Sequence, residues 1–197
     1  GTTTGNNAND SDGVLISGAT TQVNSAGGAI TIDGTANGAS AGDGVEIAAG
    51  VTAPITATNA ATIDITGVGD GADVAVQIDS PISSGTGAIT ITSDAGGSAT
   101  DDITFGADGD ITSTSGTITI DADNADDTAD VFMANGALIN AGSGLIDIDA
   151  DVNVTLGGLL TTGQVQINAI AGAIIDGGDT DSDISAGAAQ LLAATGI

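Results

Sequence analysis

Apolar side chains occupy every second position in short bursts along this chain, and the bursts recur. Six are near copies: Ala29-Ile-Thr-Ile-Asp33, Thr62-Ile-Asp-Ile-Thr66, Ala88-Ile-Thr-Ile-Thr92, Thr117-Ile-Thr-Ile-Asp121, Leu145-Ile-Asp-Ile-Asp149 and Gln164-Val-Gln-Ile-Asn168. A period of two predicts a strand with one buried face, and β-branched residues at the buried positions suit a pleated surface. Helical periodicity is absent almost throughout.

Cutting the chain at these bursts gives units 29–60, 61–87, 88–116, 117–144, 145–163 and 164–197, with a partial unit 13–28 before them. Within a unit, a second apolar string opens just after an aspartate, as at Asp12, Asp43, Asp73, Asp102, Asp130 and Asp151. A third follows, as in Pro54-Ile-Thr-Ala57, Pro81-Ile-Ser-Ser84 and Asp110-Ile-Thr-Ser113, and a Ser/Thr/Gly turn closes most units. Pro54 and Pro81, the only prolines, fall at the same place in successive units.

Three short strands per unit, repeated with turn residues between them, predict an all-β fold: a right-handed parallel β-helix (β-solenoid) of about six to seven coils, three strands to a coil. Residues 13–197 form this one domain, and 1–12 a polar N-terminal segment. Coils stacked about 4.8 Å apart pair each strand with its equivalents. Ile30, Ile63, Ile89, Ile118, Ile146 and Val165 then form one inward column, and Ile32, Ile65, Ile91, Ile120, Ile148 and Ile167 another. Each buried Ile or Val contributes roughly 1.5–3 kcal/mol. Unit length varies mainly between the first and second strands, so insertions project from one corner as a surface ridge. Phe105, Phe132 and Met133 are expected to fill the widest part of the core, with the inward member of Thr104/Phe105 and of Phe132/Met133 left open because the two strings differ in register by one.

Composition narrows the chemistry. The 197 residues carry 26 acidic groups, Glu46 the only glutamate, and no Lys, Arg, His or Cys, for a net charge of −26. Imidazole and thiolate chemistry, sulfur metal sites and disulfides are excluded, as are side-chain salt bridges. Without cations the chain has nothing to neutralise phosphates or anionic lipid, so neither nucleic acid nor a membrane surface is an expected partner. No apolar run approaches the roughly 18 residues of a membrane span, so no insertion is expected. The segment Gly1–Asp12 has neither the basic nor the apolar region of a signal peptide, which suits a mature chain or an excised segment.

The aspartates admit two readings. In turns, Asp accepts hydrogen bonds from nearby backbone N–H groups. As a stacked column, carboxylates about 4.8 Å apart repel by roughly 3–4 kcal/mol at an effective dielectric near 20, less once solvent screens them, and a hard cation with oxygen ligands, Ca²⁺ first, would relieve this. The candidate metal ligands are Asp121, Asp123, Asp126, Asp127 and Asp130, with Asp149 one coil on from Asp121, and then Asp176, Asp179, Asp181 and Asp183. Neither cluster is an EF-hand: after Asp179-x-Asp181-x-Asp183 the sixth position is Ile184 and the twelfth Gln190. No catalytic or cofactor-binding residue is singled out.

The Ile-Thr-Ile-Asp strings, the Gly/Thr/Ala turns and the closing stretch from Gly172 to Ile197 resemble the repeat regions of filamentous-haemagglutinin-type adhesins and giant bacterial surface proteins. The resemblance implies a secreted or cell-surface β-helical shaft or adhesive fibre, non-catalytic. Ala186 to Ile197 is mostly small and apolar, where a solenoid end normally needs a polar cap. Either the chain continues or another copy covers that end, and end-to-end assembly into filaments is expected. Three rivals are weaker. A β-helical enzyme acting on polysaccharide through paired Asp residues would lack polymer-binding aromatics. An ice-binding solenoid would use Thr90, Thr92 and Thr119, but Asp64, Asp121, Asp147 and Asp149 interrupt those rows. A β-sandwich joined by donated strands needs hairpins that the one-way order of the units does not provide.

Overall fold

The computed structural model describes residues 2–4, 12–37, 42–52, 54–69, 74–94, 102–122, 128–178, 180 and 182–197. Those residues form three parallel sheets and no helix. The first sheet contains Thr2–Thr4, Ile30–Asn37, Ile63–Val68, Ile89–Ser93, Ile118–Ala122, Ile146–Ala150, Gln164–Ala169 and Ala188–Ala193, in that order. The second runs from Val14–Ile16 to Ile174–Asp176 and the third from Val23–Ser25 to Ile184–Ser185, seven strands each. The chain visits second, third and first sheets in turn, seven times over. This is a parallel β-helix of seven coils, in line with the right-handed winding that connections between parallel strands follow.

Register is what the repeats demand. Ile89 sits between Ile63 and Ile118, and Ile91 between Ile65 and Ile120. The column continues through Ile146 and Val165 to Ala189, and its neighbour through Ile148 and Ile167 to Leu191. Most of these side chains are wholly buried. Two further columns come from the other sheets, Val45, Val76, Ile103, Val131 and Val154 in one and Ile55, Ile82, Ile111 and Ile139 in the other. The core is therefore a triangular prism of aliphatic side chains.

One core expectation is corrected. Phe105 and Met133 pair in register and are fully buried, but Phe132 pairs with Thr104 and Thr155 and points outward, 44% exposed. Val131 and Met133 take the two inward positions of a three-residue strand, and alternation leaves Phe132 on the other face.

Two features at the ends go beyond the units read from sequence. Thr2–Thr4 pairs with Thr35–Asn37, so part of the polar N-terminal segment joins the first sheet. Unit 164–197 holds two first-sheet strands, Gln164–Ala169 and Ala188–Ala193, the second aligned on the first.

The corner between third and first sheets explains the closing Ser/Thr/Gly turns. The buried Ser113 hydroxyl lies 3.2 Å from the Gly85 carbonyl and 3.3 Å from that of Gly87, and accepts the Gly116 N–H at 2.9 Å. Thr161 repeats this, donating to Gly144 O at 2.6 Å and accepting Gly163 N–H at 2.9 Å. Coils approach so closely here that a Cβ on Gly116 would stand 2.0 Å from Gly87 O. The serine or threonine satisfies backbone groups inside the corner, and the glycine admits the neighbouring coil.

Candidate functional site

The aspartates that open the second-sheet strands are structural ligands of the backbone. Asp12 Oδ1 accepts the Asp43 N–H at 3.2 Å, and Asp43 Oδ1 accepts that of Val74 at 3.3 Å. Further along, Asp102 Oδ1 accepts the Asp130 N–H at 2.8 Å, and Asp130 Oδ1 accepts the Asn153 N–H at 2.6 Å. Asn153 continues the ladder by accepting the Ala173 N–H at 3.0 Å. Each side chain thus ties its coil to the next, so the N–H bonds are between coils and not local to a turn. Asp151 does not belong to this column. It is 2% exposed and accepts the Ala129 N–H at 3.3 Å, because the strand opens at Val154 and Asn153 takes the ladder position. Asp73 lies outside the described residues.

Burial holds the Asp102 carboxyl above the usual carboxylate range; the Asp130 N–H pulls the other way and the Asp130 charge adds a smaller upward push.

A second acidic group lies on the outer face of the first sheet. Asp121 pairs in register with Asp149, as the sequence predicts, and Asp147 stands beside them opposite Thr119. Burial raises the Asp147 pKa, with the Asp121 charge adding to it. For Asp149, burial again leads, the charges of Asp147 and Asp121 push the same way, and a hydrogen bond with Asn168 opposes them. Asp147, Asp149, Gln166, Asn168 and Gln190 line a shallow depression of about 250 Å³. The first outward row reads Thr31, Asp64, Thr90, Thr119, Asp147, Gln166 and Gln190. Threonine is interrupted by carboxylates, so the sheet presents no continuous hydroxyl array.

The remaining sequence candidates are not brought together by any described contact. Asp123, Asp126, Asp127, Asp179 and Asp181 lie outside the described residues, and so does most of the corner where insertions were expected to form a ridge. Asp130 serves the second-sheet ladder, away from the Asp121 face. Asp176 is exposed and accepts the Gly178 N–H at 2.7 Å, while half-buried Asp183 presents its backbone carbonyl to the Leu159 N–H at 2.7 Å. One acidic trio escaped sequence reading: oxygens of Asp12, Asp43 and Glu46, all half-buried, lie within 4.8 Å of one another. The signal was present, since the ladder aspartates and the outward position of the second-sheet strand meet where two coils stack. These oxygens are of the type a hard divalent cation takes.

The last coil differs from those before it. The strand Ala188–Ala193 is largely exposed, and Leu160, Ile170, Ile175, Leu192 and Ile197 are large apolar residues open to solvent in the last two coils. Ala173 bridges in parallel to Gly196, which places Ile197 below Ile174 in the inward column of the second sheet. Comparison with protein-family models, curated proteins and solved structures gave no match.

Proposed function

We propose that this chain is a non-catalytic structural or adhesive shaft, extracellular or on a cell surface, of the filamentous-haemagglutinin type that its repeats resemble. One observation carries the reading: consecutive coils are congruent, each inward column running in register from coil to coil, so that nothing in the packing sets a length. A further coil, from the same chain or from a second copy, extends the three sheets by the same pairing. Repeated addition of one copy to another is a heterologous, non-closing contact and gives a fibre.

The acids favour this over catalysis. Those among the described residues stand mostly in columns at coil spacing, where they bond backbone N–H groups or face outward. An incubation with acidic polysaccharides is expected to yield no new reducing ends. Ca²⁺ enters the proposal as a surface stabiliser of the stacked carboxylates.

Electron microscopy of the native material, with and without a calcium chelator, tests assembly and ion dependence together. Unbranched rods rising about 4.8 Å per coil are expected. A dispersed monomer at every concentration in analytical ultracentrifugation, with no longer chain in the native material, overturns the fibre reading.

A further inference from the structure

Asn135 and Gly136 form the exposed turn between the second-sheet strand Val131–Met133 and the third-sheet strand Leu138–Gly142. The Ala137 N–H closes it on the Ala134 carbonyl at 3.0 Å, and Gly136 has φ +104°. Among the described residues, the Asn135 side chain makes no hydrogen bond and the Gly136 N–H donates to no acceptor. Three other asparagines among the described residues are tied down. Asn59 donates to Ala26 O at 2.8 Å, Asn140 accepts the Gly142 N–H at 2.9 Å and Asn153 accepts that of Ala173 at 3.0 Å. The next coil crosses this corner on Gly157-Gly158, and so leaves an open notch lined by Asn135, Gly136, Leu138, Gly158 and Asp183.

We propose that Asn135 is a spontaneous modification site, a feature independent of the shaft reading. The Gly136 backbone nitrogen attacks Asn135 Cγ and loses its proton to water; the new C–N bond forms, Nδ2 takes up a proton from water and the Cγ–Nδ2 bond breaks to release ammonia, giving a cyclic imide. Water then opens the imide at either carbonyl, which yields aspartate or isoaspartate and adds one negative charge. A glycine at the attacking position offers no Cβ to hinder the approach, and the free amide is the leaving group. The corresponding turn of the preceding coil, closed by the Gly109 N–H on Gly106 O, carries Ala107 at the place of Asn135 and Asp108 at that of Gly136; Asn135 is itself exposed, so a carboxylate in its place faces solvent. Isoaspartate differs because it lengthens the main chain by one carbon. The turn is held in the stack by Ala134 N–H to Phe105 O and by Gly158 N–H to Ala137 O, each 2.8 Å, and the longer backbone strains both bonds.

Incubation of the whole chain in mildly alkaline buffer, followed by Asp-specific proteolysis and mass spectrometry, tests this. Cleavage before aspartate releases residues 130–146, a peptide that holds Asn135 together with Asn140 as an internal control. The expected result is a time-dependent mass gain of one amide-to-acid conversion at Asn135. The aspartate form is cut again before residue 135, the isoaspartate form resists, and Asn135→Gln abolishes the gain. An unchanged peptide, or conversion at Asn140 ahead of Asn135, overturns the proposal.

Discussion

Whether a side chain enters the prism or faces water is decided by the parity of its position in a two- to eight-residue strand. Phe105 and Phe132 make the point, since both occupy second-sheet strands and differ only in that parity. Phe105→Ala is expected to cost about 3–5 kcal/mol, because the neighbouring coils cannot close the cavity. Phe132→Ala is expected to change stability by about 0.5 kcal/mol or less. Chemical denaturation of the two variants checks this, and comparable losses would contradict the register. The aliphatic columns obey the same rule: Ile91→Ala, at a fully buried position, is expected to cost about 2–5 kcal/mol.

Between strands, the stacking that aligns isoleucines inside also aligns acids outside. Asp121, Asp147 and Asp149 share a face, flanked by Gln166 and Asn168 on one side and by Thr90 and Thr92 on the other, so no cation faces them. Their environment raises the pKa of Asp147 and Asp149, and burial does the same for Asp102. A folded-state pKa above the unfolded one means that the native state binds protons more readily. The stability linked to those protons is fully present below the ordinary aspartate pKa and is lost as pH rises through the raised values. Thermal unfolding is therefore expected to shift to higher temperature on acidification from neutrality toward that range, and Asp149→Asn to flatten part of the rise. A melting temperature that falls monotonically over that interval would sink this account.

At the scale of the molecule, a charge of −26 without one cationic side chain leaves every long-range interaction between side chains repulsive. Screening acts within about 8–10 Å at ordinary ionic strength. Added monovalent salt is accordingly expected to raise the melting temperature and to promote end-to-end association, with Ca²⁺ effective at lower concentration than Na⁺. Calorimetry and light scattering across a salt series measure both. Insensitivity to salt would mean that the carboxylates are neutralised or too far apart to matter.

Much of the architecture was legible because a solenoid writes its tertiary contacts as repetition: a residue and its spatial neighbour occupy the same place in adjacent units, so Ile91 over Ile120 and Asp121 over Asp149 follow from aligning the strings. What the sequence left open is what does not repeat. The parity of Val131-Phe132-Met133 depends on where a three-residue strand begins, and an apolar triplet gives no alternation to read. The transfer of the ladder from Asp151 to Asn153 depends on the corner before Val154, and the trio Asp12, Asp43 and Glu46 on two coils meeting there. Strand order and core composition were set by periodicity alone, whereas the placement of single polar groups at the corners was decided by backbone geometry, which only the stacked coils define.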